Sequence, residues 1–201
     1  MRQVARTVAI LLAALSLSLG VYTFFYRSEN QIEEGFETGL GAWTADADVP
    51  MDPNNPGHPI QWRIELTGNR SYTGKNSVLL VIDGSQDDGT IWIERTVRLR
   101  SYGHIKVKLS FQLYSTSQSF NTIAAVVAYC DISSPEREAD FAVLGSANQL
   151  AGWKQYTYET QVDTDSSGTV WLGIGISVRW ETSLAYWIDD VEISLTDVGK
   201  L

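Results

Sequence analysis

Among 201 residues there are one cysteine, two histidines, two methionines and five prolines. The single Cys130 cannot form an intramolecular disulfide or a cysteine-based zinc cluster, since both need at least two sulfurs. It is expected to be a small buried side chain. His58 sits among prolines and His104 beside a turn, and neither has neighbours in sequence that complete a triad or a histidine metal cluster. No G-x-S-x-G elbow or phosphate loop is present, and GLGAW and GIGIS do not complete a dinucleotide fingerprint. A basic stripe is also missing. Only Arg2, Arg6 and Arg27 precede residue 28, so the remainder carries 12 Lys plus Arg against 24 Asp plus Glu. Such a field repels phosphate backbones and anionic membrane surfaces. This excludes nucleic acid as a partner and suits neutral ligands or bound Ca²⁺.

Long amphipathic helices are missing as well. Across residues 35–195 no 3.6-residue apolar stripe is long enough for a helix, whereas period-two alternation recurs. Sixteen Gly, seven Trp and nine Tyr fit strands and turns. In residues 104–114, Ile105, Val107, Leu109, Phe111 and Leu113 share one face, and Lys106, Lys108, Ser110, Gln112 and Tyr114 the other. In residues 169–180, Val170, Leu172, Ile174, Ile176, Val178 and Trp180 oppose Trp171, Gly173, Gly175, Ser177 and Arg179. Both read as long strands with one core face. Further strands are expected at 61–66, 77–82, 91–99, 122–130, 154–162 and 185–195, separated by turn signals such as Asp83-Gly84, Asp88-Gly89 and the run DTDSSG at 163–168. The stretch VPMDPNNPGHP at 49–59 is a loop, and residues 134–140 are expected to hold one helical turn. The pattern predicts an all-β, two-sheet antiparallel sandwich or jelly roll of about eight strands.

Residues 8–26 (VAILLAALSLSLGVYTFFY) carry no charge, and 19 residues at about 1.5 Å rise just span a hydrocarbon core. The run continues past the length of a signal-peptide core into Val21, Phe24 and Phe25. An uncleaved transmembrane helix is therefore favoured over a cleaved signal, although Ser18 and Gly20 offer a cleavage context. Arg2 and Arg6 before the run keep the N-terminus cytoplasmic. The expected organisation is a tail at 1–7, a membrane span at 8–26, a linker at 27–34, the domain at 35–195 and a tail at 196–201. The domain lies on the extracytoplasmic side, held to the membrane, or secreted if the segment is removed.

Three ordered segments carry a family resemblance: Gly35-Phe36-Glu37-Thr38-Gly39 with Trp43 soon after, Ser71-Tyr72-Thr73-Gly74-Lys75-Asn76-Ser77, and Tyr186-Trp187-Ile188-Asp189-Asp190-Val191-Glu192-Ile193. Together they resemble the galactose-binding-like jelly rolls, notably carbohydrate-binding modules of the cellulose- and xylan-binding type. The resemblance implies a structural Ca²⁺ joining the first and last strands through Glu37, backbone oxygen at Lys75 or Asn76, and Asp189 or Asp190. Hydrogen-bonded edge carboxylates are the competing account. Alternation with Val191 and Ile193 puts Asp189 on the inner side unless a bulge intervenes.

Sugar binding needs aromatic faces for pyranose rings and planar polar groups for hydroxyls. The non-core faces of the two long strands supply Gln112, Tyr114, Trp171 and Arg179, with Gly173 and Gly175 leaving space for a ligand. Trp92, which alternates with Ile91 and Ile93, is expected to join them and Glu94 on one concave face. Trp43, Trp153, Trp180 and Trp187 are assigned to core or strand-end packing. The reading is a non-catalytic module that binds a glycan. The alternative is an assembly module that contacts another envelope protein.

Overall fold

The computed structural model describes residues 31–86, 88–99, 102–180 and 182–198. The expected membrane span at 8–26 lies outside them. Among the described residues no helix is long and apolar enough to cross a membrane.

The chain forms β1 (Gln31–Glu34), β2 (Thr44–Asp48), β3 (Trp62–Thr67), β4 (Ser77–Gly84), β5 (Thr90–Arg98), β6 (His104–Ser115), β7 (Ala124–Asp131), a 3₁₀ turn (Glu138–Asp140), β8 (Ala142–Ser146), β9 (Gly152–Asp163), β10 (Thr169–Val178) and β11 (Thr182–Asp197). One sheet has the order β3-β4-β11-β6-β9, with β1 also paired to β11; the other has the order β2-β5-β10-β7-β8. The result is the expected all-β two-sheet antiparallel sandwich. Three strands were not anticipated. The residues QIEE of β1 fall in the expected linker, TADAD of β2 alternates alanine with aspartate, and AVLGS of β8 is short.

Alternation dictates the core. Val78, Leu80 and Ile82 of β4, Ile105 to Leu113 at every second position of β6, and Leu184, Tyr186 and Ile188 of β11 face inward from one sheet. Ile91, Ile93 and Val97 of β5, Val126 of β7, and Val170, Leu172, Ile174, Ile176 and Val178 of β10 meet them from the other. Each such side chain contributes about 1.5–3 kcal/mol by leaving water. The turn before β10 is set locally: Asp165 Oδ1 accepts the Ser167 and Thr169 amides at 2.8 and 2.7 Å, and Gly168 takes φ +79°. That left-handed conformation favours glycine.

Candidate functional site

The five residues proposed from sequence do not share a face. Gln112 and Tyr114 lie on β6 in the β11-centred sheet, while Trp92 on β5 and Trp171 on β10 belong to the opposite sheet, and Arg179 directly follows β10. Their outer faces point away from each other across the sandwich.

On the β10-centred sheet the expected open floor is covered by the chain itself. Trp92 is fully buried rather than exposed, and its Nε1 donates to Glu94 Oε2 at 2.8 Å. Residues 132–141 form a strap over it. The Ser134 hydroxyl donates to Glu94 Oε1 at 3.1 Å, the Glu138 amide donates to Asp48 Oδ2 at 2.9 Å, and the Thr90 hydroxyl donates to Glu138 Oε2. Arg179 pairs with Glu138 Oε1 at 2.6 Å and also donates to the Ser177 hydroxyl. The Phe141 ring lies 5.0 Å from Trp92 and 5.7 Å from Tyr129. A methyl group on Gly173 would stand 3.1 Å from Phe141 Cε1, and one on Gly175 would meet the Ile91 carbonyl and Trp92 Cα. The two glycines therefore make room for this chain's own ring and backbone, not for an open ligand space. Trp171 is half-buried, opposite Asp131 and Thr96 in register.

The outer face of the other sheet carries an aromatic row. Tyr114 of β6 is paired with Trp153 of β9 and Trp187 of β11, so the three rings stand on one face, where cross-strand neighbours touch. Tyr114 lies 5.3 Å from Trp153 and 5.8 Å from Trp187, and Tyr72, from the β3–β4 loop, lies 5.6 Å from Trp153. Each contact is edge-to-face. Tyr72 is 48% exposed. The Arg70 guanidinium sits 3.7 Å above the centroid of Tyr114 and 5.1 Å from that of Trp187. Gln112 and Gln155, also paired, supply amides beside the row. Trp153 and Trp187 are thus half-buried surface rings rather than core, and Trp180 is 55% exposed; of the four tryptophans assigned to packing, Trp43 alone is buried.

A carboxylate corner holds the loop that bears Tyr72. Glu37 Oε1 accepts the amides of Lys75 and Asn76 at 2.8 and 2.9 Å, and the Asn76 side chain donates to the Glu37 carbonyl. The Asn76 and Lys75 amides hold the Glu37 carboxyl below the usual carboxylate range. Asp189 Oδ2 accepts the amides of Tyr72 and Thr73, and its Oδ1 that of Asp190. Burial pushes the Asp189 carboxyl up, opposed by the Tyr72 amide. Asp190 Oδ1 accepts the Thr73 hydroxyl at 2.6 Å. The register with β6 shifts between Asp189 and Glu192, and Asp190 has φ +46°. This bulge turns Asp189 to the outer face beside Gln112, correcting the inner placement expected from alternation.

The residues named for Ca²⁺ do converge on one loop, but as acceptors of N–H and O–H groups. A hard cation wants six to eight oxygens, and the Lys75 and Asn76 N–H groups already occupy Glu37 Oε1. Among the described residues no three His, Cys, Asp or Glu side chains are grouped to hold a metal ion. As placed, Glu37 Oε1 and both Asp189 oxygens are taken up by N–H donors.

No protein-family model and no curated protein matches the chain. Solved structures do. One comes from work on the promiscuous specificity of carbohydrate-binding modules of the β-sandwich superfamily; it is 16% identical with a TM-score of 0.52, over 82% of this chain and 61% of that one. Another holds the CBM22-1-GH10 modules of Clostridium thermocellum endo-1,4-β-D-xylanase 10B complexed with xylohexaose; it is 13% identical with a TM-score of 0.51, over 86% of this chain and 30% of that one. The chain shares the β-sandwich fold of these two structures. The chain thus spans less than two thirds of either structure. At these identities the likeness concerns the fold, and function must be argued from this module's own surface.

The aromatic row was readable in part. Trp153 alternates with Gln155 and Thr157, and Trp187 with Ala185, which already separates both from the inward positions. Arg70 and Tyr72 had no such signal, because a loop has no periodicity.

Proposed function

We propose that the chain is a membrane-tethered, extracytoplasmic, non-catalytic module that binds a glycan through the aromatic row of the β11-centred sheet. The observation that carries this reading is the coincidence of a half-exposed Tyr72, Trp153, Tyr114 and the Gln112–Gln155 amides on one sheet face, while the opposite face is covered by residues 132–141. Rings of this kind stack on pyranose faces, and planar amides take the hydroxyls. The carbohydrate recognition of the two structural neighbours supports the same class of ligand. The tether at 8–26 rests on the uncharged run alone.

Affinity electrophoresis of the detergent-solubilised full chain through a panel of polysaccharides tests the reading. Retention by at least one polymer is expected, with Tyr72→Ala and Trp153→Ala each weakening it by about 1 kcal/mol, roughly fivefold. No retention on any polymer, or unchanged retention in the double variant, refutes the face. A stoichiometric protein partner recovered in place of glycan retention would favour the assembly-module reading.

A further inference from the structure

Arg70 is the unusual member of the row. Acids outnumber bases in this chain by 24 to 15, and four of the other five described arginines have oxygen partners: Arg63 pairs with Glu65, Arg137 with Asp140, Arg179 with Glu138, and Arg98 donates to the Ser167 carbonyl; the fifth, Arg95, lies 5.4 Å from the Trp43 ring, away from the aromatic row. No ion pair among the described residues includes Arg70, and its Nε is buried without a hydrogen-bond partner. What holds its guanidinium is the face of Tyr114, with Trp187 beside it. The backbone beneath is pinned as well. The Arg70 carbonyl accepts the Ser77 hydroxyl at 2.6 Å, and Asp189, the acid under the same loop, spends both oxygens on amides of Tyr72, Thr73 and Asp190.

A guanidinium fixed on aromatic rings has already lost the conformational freedom that a flexible arginine gives up on binding, and with Nε buried it keeps its terminal Nη pair as the edge for a planar anion. A carboxylate fits that edge in a bidentate manner. The geometry points to a glycan that carries a uronic acid: its carboxylate on Arg70, and an adjacent ring on Tyr72 and Trp153. This rests on the glycan-binding reading above and narrows the ligand class. The charge of the whole chain, −9, repels a dense polyanion at distances beyond the single contact. The ligand is therefore a mostly neutral polymer with isolated uronates, not a polyuronate.

The test compares each polymer with its own neutral form, using the solubilised full chain. Glucuronoxylan and a glucuronate-bearing arabinogalactan are offered in native and carboxyl-reduced form, with polygalacturonate as the dense polyanion. At least tenfold tighter binding to a native polymer than to its reduced form is expected, with weaker binding to polygalacturonate. In Arg70→Gln the ratio of native to reduced affinity should shrink to under twofold. The native-versus-reduced comparison on the unaltered chain needs no variant, so it stands even if Arg70→Gln fails to fold. Equal affinity for native and reduced polymers overturns the uronate assignment and leaves glycan binding in place. Binding to neutral polysaccharides outside this set without any uronate preference does the same. Binding to no polysaccharide overturns both.

Discussion

Replacing Gly175 by alanine sets a methyl group against the Ile91 carbonyl and 2.7 Å from Trp92 Cα. These are backbone atoms of the neighbouring strand, so no rotamer change relieves the contact. β5 and β10 have to separate around the Gly175–Trp92 pair, in the middle of a sheet whose β10 core face is Val170 through Val178. Losing about two ladder hydrogen bonds costs roughly 0.5–1.5 kcal/mol each, and overpacking adds roughly 1–3 kcal/mol. A total near 4 kcal/mol is a large share of the roughly 5–15 kcal/mol typical of a domain. At about 2–4 °C per kcal/mol, the Tm should fall by about 8–16 °C. Gly173→Ala is the control on the same strand and face. Its methyl group would meet the Phe141 ring edge at 3.1 Å and Tyr129 Cβ at 3.4 Å, and a ring can yield by a few tenths of an ångström. The lower entropy of the unfolded chain offsets part of the strain, by about 0.4–1 kcal/mol, so Gly173→Ala should melt within about 3 °C of wild type. Thermal melts followed by circular dichroism read both variants. If Gly175→Ala melts with wild type, or Gly173→Ala falls equally far, the account of these glycines is wrong.

His104 is held between two acceptors, Gln161 Oε1 on Nε2 at 3.1 Å and Asp163 Oδ1 on Nδ1 at 3.0 Å. These, Gln161 first, raise its pKa above 6.5. Its stabilising contribution should be complete below pH 6.5 and fade as pH climbs through the raised value; NMR titration should place the imidazole above 6.5, and His104→Gln should flatten this part of the stability profile. Burial, then Asp131, pushes the Cys130 thiol to about 12, so a disulfide reagent at pH 8 should label denatured protein and leave native protein nearly unreacted. With amide donors already on Glu37 and Asp189, melting curves in EDTA and in millimolar Ca²⁺ should coincide. A rise in Tm with Ca²⁺ would restore the cation that the family resemblance implied.

The faces of the long strands were legible because alternation is local. The inward set of β6 is the one the pattern names, and so is that of β10 except for Trp180, which lies past the strand's end and is 55% exposed. What alternation does not contain is which sheet a strand joins, and β6 and β10 join different ones. That single omission merged two outward faces into one imagined groove. The strap escaped notice for a related reason: SPEREAD has no period, and its closure over Trp92 depends on Asp48, Glu94 and Arg179, all distant in sequence. The bulge at Asp190 had no marker either, since a positive φ at aspartate costs strain that only the surrounding bonds maintain. β2 was hidden by composition: Asp46 and Asp48 take the alternate positions where a strand reader looks for branched apolar residues.

The order of strands also bears on how such a chain emerges from a ribosome. β10 is the centre of one sheet and β11 the centre of the other, and both come from residue 169 onward. Until they are made, β5 and β7 lack the strand that joins them, and so do β4 and β6. A nascent chain stopped before Thr169 therefore displays apolar strand faces and unpaired edges with nothing between them, the condition that invites aggregation. Each sheet closes by inserting its central strand last, so the domain is expected to form in one step once residues 169–197 have been made rather than growing from β1, and loss of β11 removes a fold rather than an edge.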